Sequence, residues 1–335
     1  MDFWILAIRI IFLSQTVIGI LGNFFLMFCY LVLYYRERVL KPTDFILFHL
    51  MTANAIIIFS SGVPHTMAAF GLKQFLSDFV CRILIYIQVV GRSVSIGTTC
   101  LLSVIQAMII RSRESCWKDH KFKTVNYICS SISLLWIISM LIHFIFFVYP
   151  LIKFNSKNIT TKLEFGYCPT VERDEISDSF YVTLMVCPEV FFSLLITWSS
   201  SSMIFILCRH KQRVQLIRSS LGSSRPSPES TAIKNILVLQ STFLTFYTFS
   251  SVLRGCSVLL YNHNWWLVNI TRLTSLCFPS FVPFVLMKHY SIVSRVNVAH
   301  LRNLNLIHFS LPTQEHLTKS YETSVCEYGE YAHHS

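Results

Sequence analysis

Four ionisable residues, Arg92, Glu189, Arg254 and Arg272, stand inside otherwise uncharged apolar stretches. A charge in such a place is costly to bury, so it faces a partner, a wet cavity or a ligand. Arg92 follows Cys81 by eleven residues, which on a helix rising about 1.5 Å per residue carries it roughly 16 Å down. Glu189 lies about ten residues into its own apolar run, at a similar depth. Opposite signs at one depth predict that the two pair, or share a hydrogen-bond network, at the floor of a pocket; the plainer alternative is that the pair only fixes helix packing. If Arg254 and Arg272 also face inward, three guanidinium groups meet one carboxylate, which favours a small organic ligand with an anionic or strongly hydrogen-bonding head group on an apolar body. Either Arg can instead extend to the membrane interface. Tyr181 and Tyr247, with Phe180 and Trp266, supply aromatic walls, although packing or an interfacial belt explains such residues equally well.

The elements that must hold these groups are membrane-crossing helices. Hydrophobic residues make up 53% of the 335 and charged ones 13%, far from a soluble composition. Residues 10–35, 45–72 and 124–152 contain no Asp, Glu, Lys or Arg, and 83–110, 179–208 and 235–287 contain only the four charges above. A crossing needs about 20 apolar residues. The last run is too long for one and divides at the polar Tyr261-Asn262-His263-Asn264. Seven crossings are predicted, over about 10–34, 44–63, 82–110, 127–149, 180–208, 235–260 and 266–287, preceded by a short segment 1–9 and followed by a tail 288–335. The fold class expected is an all-α membrane bundle of seven helices.

Lys and Arg in the loops set the orientation. Loops 35–43, 111–126 and 209–234 with the tail hold 18 of them, against 7 on the opposite side, so the N-terminus is expected outside and the tail in the cytoplasm. That skew, with the basic loops beside membrane lipid, also accounts for most of the net charge of +11, and no nucleic-acid partner is needed. The first apolar run lacks a basic leader and a small-residue cleavage site, so it is expected to serve as the insertion signal. With this topology most of the eleven cysteines fall inside helices or on the reducing side, and Cys81 and Cys168 face outward. A disulfide between them is expected, pinning the outer end of the third crossing to the second outer loop; two unrelated thiols are the alternative. Asn158-Ile159-Thr160, in that same loop, is a glycosylation acceptor, whereas Asn269-Ile270-Thr271 lies within a helix. Pro188 and Pro279 interrupt helices, either as hinges or as packing features.

On the cytoplasmic side, Arg111, Arg113 and Lys118 combine with His210, Lys211 and Arg213 on a helical continuation of the fifth crossing. This basic surface suits docking of a signalling protein, and positive-inside charge near anionic lipid is the competing account. Thr313, Thr318, Ser320, Thr323 and Ser324 in the tail are candidate kinase sites. No zinc-protease, nucleophile-elbow, metal-cluster or phosphate-loop motif occurs, so neither an enzyme nor a cofactor is expected. A transporter or channel is the rival class, and the lack of an evident internal repeat argues against it.

Specific strings point further. Gly22-Asn23 is common to rhodopsin-like receptors. Thr43-Asp44, His49-Leu50-Met51-Thr52-Ala53-Asn54, Gly62-Val63-Pro64, Thr66-Met67-Ala68-Ala69-Phe70-Gly71 and the stretch from Gly91-Arg92-Ser93 to Leu102-Ser103-Val104 resemble the vomeronasal type-1 (pheromone) receptor family. So do His210-Lys211-Gln212-Arg213-Val214-Gln215, Ser227-Pro228-Glu229-Ser230, Trp265-Trp266-Leu267-Val268-Asn269 and Pro283-Phe284-Val285-Leu286-Met287, in the family's order from residue 20 to about 295. Ile109-Ile110-Arg111 stands where rhodopsin-like receptors usually carry Asp-Arg-Tyr, and Phe278-Pro279-Ser280 where they carry Asn-Pro-x-x-Tyr, absences that the vomeronasal family shares. The resemblance implies a chemosensory receptor at the plasma membrane of vomeronasal sensory neurons. It also implies a pheromone-like, for example steroid-like, ligand and a heterotrimeric G protein of the inhibitory class. Bitter-taste receptors also lack Asp-Arg-Tyr, but the strings of the second and third crossings fit the vomeronasal family better.

Overall fold

The computed structural model describes residues 3–37, 42–72, 76–112, 121–153, 161–165, 168–173, 175–218, 228–259 and 265–290. Among the described residues, seven long helices form the bundle, the second in two pieces. They are α1 (Phe3–Glu37), α2 (Pro42–Ile57) continued by α3 (Val63–Ala69), α4 (Asp78–Ser112), α5 (Lys121–Lys153), α6 (Glu175–Arg218), α7 (Pro228–Leu259) and α8 (Trp265–Tyr290). Six of them are long and apolar enough to cross a membrane, and α7, 32 residues long, is the seventh member of the bundle. The chain is therefore an all-α membrane protein with a seven-helix bundle.

The helices run beyond the apolar stretches because polar residues continue them at both ends. α6 extends through the basic segment to Arg218. The stretch 150–179, read from the sequence as an outer loop, contains an antiparallel hairpin, β1 (Thr161–Phe165) with β2 (Cys168–Arg173), paired from Thr161 opposite Arg173 to Phe165 opposite Cys168. β2 lies against α4.

The second crossing is interrupted at Ile58–Gly62, one wide π-turn in which the Val63 amide bonds to the Ile58 carbonyl. Pro64, two residues on, has no N–H to give the Ser60 carbonyl, and a locally widened turn is one way a helix absorbs that loss. α3 then stops at Gly71, whose φ of 103° lies in the left-handed region that only glycine enters cheaply.

Close packing and polar stitching join α1 to α8. A Cβ added at Gly22 would sit 2.8 Å from Cβ of Pro283, so only hydrogen fits there. Pro283 also deprives the Pro279 carbonyl of its helical donor, and Asn23 of α1 supplies one, Nδ2 donating at 2.9 Å. This gives the Gly22-Asn23 pair its physical meaning: approach at one residue and repair at the next. α4 runs through the middle, touching α2, α5, α6 and α7, and the largest apolar core gathers Leu50, Ile96, Phe243, Tyr247 and Phe278 around it. Leu141, Leu194 and Trp198 point outward and stay largely exposed, as a hydrocarbon solvent requires.

Candidate functional site

Two buried charges of opposite sign meet in the bundle. Arg92 of α4 and Glu189 of α6, 5% and 8% exposed, form a salt bridge in which Nε of Arg92 donates to Oε1 of Glu189. Ser251 of α7 closes the arrangement: its hydroxyl accepts from Nη2 of Arg92 at 3.3 Å. Its one proton is shared between Oε2 of Glu189 and the Tyr247 carbonyl 2.8 Å away. The guanidinium carbon of Arg92 lies 4.5 Å above the Tyr247 ring, a cation–π contact between two buried side chains. Both carboxylate oxygens and two faces of the guanidinium are thus engaged, which is what a buried pair needs if it is not to lose more in desolvation than it gains in attraction.

Local sequence explains the placement. Three residues along α4, Ser95 donates to Oδ1 of Asn54 on α2 at 2.9 Å and fixes the facing of that helix. A Cβ at Gly91 would come 3.3 Å from the Ala53 carbonyl, so the α4 backbone runs close to α2 beside Arg92. Tyr247 is held from below by Phe243, stacked at 4.2 Å, and from the side by the edge of Phe278 at 5.1 Å.

Of the other candidates, Arg254 lies on α7 one turn from Ser250, to whose hydroxyl it donates at 3.0 Å, and its charge acts on both Glu189 and Tyr247. Arg272 is placed elsewhere, with its charge felt by His65 of α3. Trp266 packs edge-on against Trp4 of α1 at 5.5 Å and is half exposed, at the rim of the bundle and not at the Arg92 site. Tyr181 belongs to α6, Arg111 to the last turn of α4, and His210, Lys211 and Arg213 to the end of α6. Cys81 is disulfide-bonded and buried, and β2, which begins at Cys168, lies against its helix. Asn158, Arg113, Lys118 and the tail from 291 lie outside the described residues. Ser251 was not singled out from the sequence, because serine in a helix usually bonds its own backbone and gives no sign of a cross-helix partner. Among the described residues, no group of His, Cys, Asp and Glu is arranged to hold a metal ion.

Seven helices in this order, a bonded cysteine at the head of α4 and a polar site between α4, α6 and α7 define a rhodopsin-like receptor architecture. The crystal structure of squid rhodopsin superposes with a TM-score of 0.65 over 91% of this chain and 87% of that one, at 15% identity, which establishes the fold alone. The vomeronasal organ pheromone receptor family matches residues 6–299, and the chain belongs to that family. It is 46% identical to vomeronasal type-1 receptor 4 of Homo sapiens over 275 residues, covering 82% of this chain and 91% of the relative. It is 42% identical to vomeronasal type-1 receptor 3 of Homo sapiens over 294 residues, covering 88% and 94%. The protein is accordingly a non-enzymatic membrane receptor of the chemosensory kind.

Proposed function

We propose that the chain is a vomeronasal receptor that binds a small organic ligand between α4, α6 and α7 and activates a heterotrimeric G protein of the inhibitory class. The observation that carries this reading is the buried Arg92–Glu189–Ser251 junction, which ties three helices at one depth beside a further cation, Arg254. Two guanidinium groups near one carboxylate favour an anionic or strongly hydrogen-bonding head group. Tyr247, whose ring lies beneath Arg92, is the aromatic wall next to that head-group site for a steroid-like body.

The N-terminus lies outside the cell, as the loop charges favour, so the Cys81 end of the bundle faces the ligand source. Cys168 is the partner of Cys81, Asn158 carries glycan, and Tyr181 lines the entrance. Arg272 serves the upper bundle near His65 in this reading. Arg111, Arg113, His210, Lys211 and Arg213 form the G-protein surface at the opposite end, and the plasma membrane of vomeronasal sensory neurons is the site of action. The test is a screen of urinary steroids and volatiles on cells expressing the chain with an inhibitory-class reporter. A ligand response lost in Glu189→Gln when it is compared with wild type at equal surface density is expected. An ion current or uptake that needs no G protein would instead point to a transporter or channel.

A further inference from the structure

Below the Arg92 site, the same three helices are tied a second time. Ser200 of α6 donates to Oε1 of Gln240 on α7 at 2.5 Å, and Nε2 of Gln240 donates to Oε1 of Gln106 on α4 at 3.5 Å. Gln106 and Gln240 are 4% and 1% exposed. The two tiers are in register: Gln106 follows Arg92 by 14 residues, Ser200 follows Glu189 by 11, and Gln240 precedes Ser251 by 11, so each helix carries its contacts about 16–21 Å apart.

One stripe of α7 joins the tiers. Gln240, Phe243, Tyr247 and Ser251 recur at spacings of three, four and four, one face of an α-helix. The top of the stripe bonds Glu189, its middle carries the ring beneath Arg92, and its foot holds the glutamine contact. α7 rests chiefly on α8 and α6 and meets α4 at few places, so these contacts are a large part of what holds it to α4.

The upper tier is charged and multiply bonded; the lower is neutral, with Ser200 close to Gln240 but the link from α7 to α4 at 3.5 Å, the limit of a hydrogen bond. A displacement of α7 away from α4 by less than about 1 Å opens the Gln240–Gln106 link while the upper tier can still adjust its side chains. We propose that the Gln106–Gln240–Ser200 contact is the latch that holds α4, α6 and α7 in the resting arrangement, and that a ligand which reshapes the Arg92–Glu189–Ser251 junction releases it through the α7 stripe. This rests on the receptor reading above for its biological sense, but the restraint itself is a property of the bundle.

The test uses the purified full chain, as wild type, Gln240→Leu and Ser200→Ala, with two readouts. Amide hydrogen exchange reports the restraint without any G protein, and basal nucleotide exchange on an inhibitory-class heterotrimer reports its consequence. Losing one such bond is expected to raise amide exchange in the latch-side halves of α6 and α7, and basal nucleotide exchange, by about two- to tenfold, with the region around Arg92 unchanged. Faster amide exchange without nucleotide exchange from any form, wild type included, supports the latch and overturns the G-protein reading. Unchanged amide exchange, uniform loosening of every helix, or lower basal activity overturns the latch. Ser200→Ala, which removes one hydroxyl and leaves a good helix former, decides the matter if Gln240→Leu fails to fold.

Discussion

Removing the partners of the Arg92–Glu189 salt bridge one at a time should give unequal losses. Breaking a buried pair from one side costs about 3–5 kcal/mol, because an uncompensated charge stays behind. In Glu189→Gln the stranded group is a guanidinium, which cannot shed its charge and loses its carboxylate while keeping Ser251 and the Tyr247 ring. In Arg92→Met the stranded carboxylate keeps the Ser251 hydroxyl, has Arg254 nearby, and can take up a proton. Glu189→Gln therefore falls at the upper end of that range and Arg92→Met at the lower. At about 2 °C per kcal/mol for a chain of this size, these are losses of roughly 10 and 6 °C in the apparent melting temperature of the detergent-solubilised protein. The double variant should lose less than the sum by about 2–3 kcal/mol, roughly 4–6 °C. Losses that add within about 0.5 kcal/mol, or an Arg92→Met that is the more damaging, would refute the reasoning.

Other substitutions test the packing and the outer surface. Gly22→Ala should cost about 1–3 kcal/mol because its new Cβ meets a ring atom of Pro283 fixed to the backbone, whereas Gly97→Ala meets the mobile end of Leu135 and should cost less; melting curves rank the two. Cys81→Ser and Cys168→Ser should lower surface delivery equally and not additively, and peptide mapping without reduction should recover the two cysteines linked; a different partner for Cys81 would displace Cys168 from the account. Asn158→Gln should increase gel mobility to that of the enzymatically deglycosylated wild type, and unchanged mobility would remove the site.

The seven-helix fold was legible because hydrocarbon demands long uncharged runs, and those at 10–35 and 124–152 admit no other reading. The Arg92–Glu189 pair was legible because charges are rare in such runs and a helix's fixed rise converts position into depth. Neutral polar groups were not. Thr98, Thr99 and Ser103 bond carbonyls of their own helix, while Ser251 and Ser200 do so and also reach across to α6 and α7 partners, and residue type alone does not separate the two behaviours. Depth also fails to say which neighbours a side chain meets: Arg254 and Arg272 look alike in the sequence, yet one lies near Glu189 and the other near His65. The π-turn at Ile58–Gly62 and the hairpin at Thr161–Arg173 were hidden for a related reason, since each depends on which neighbouring backbone groups need partners.

The measurement closest to the central claim is ligand-evoked nucleotide exchange by the full chain in membranes with an inhibitory-class heterotrimer. It should be made with apolar ligands in matched anionic and neutral forms, on wild type, Glu189→Gln and Arg254→Met at equal surface density. The account predicts that wild type responds to the anionic form at lower concentration, that Arg254→Met narrows the difference, and that Glu189→Gln loses the response. Equal responses to both forms, or variants that respond as wild type does, would contradict it.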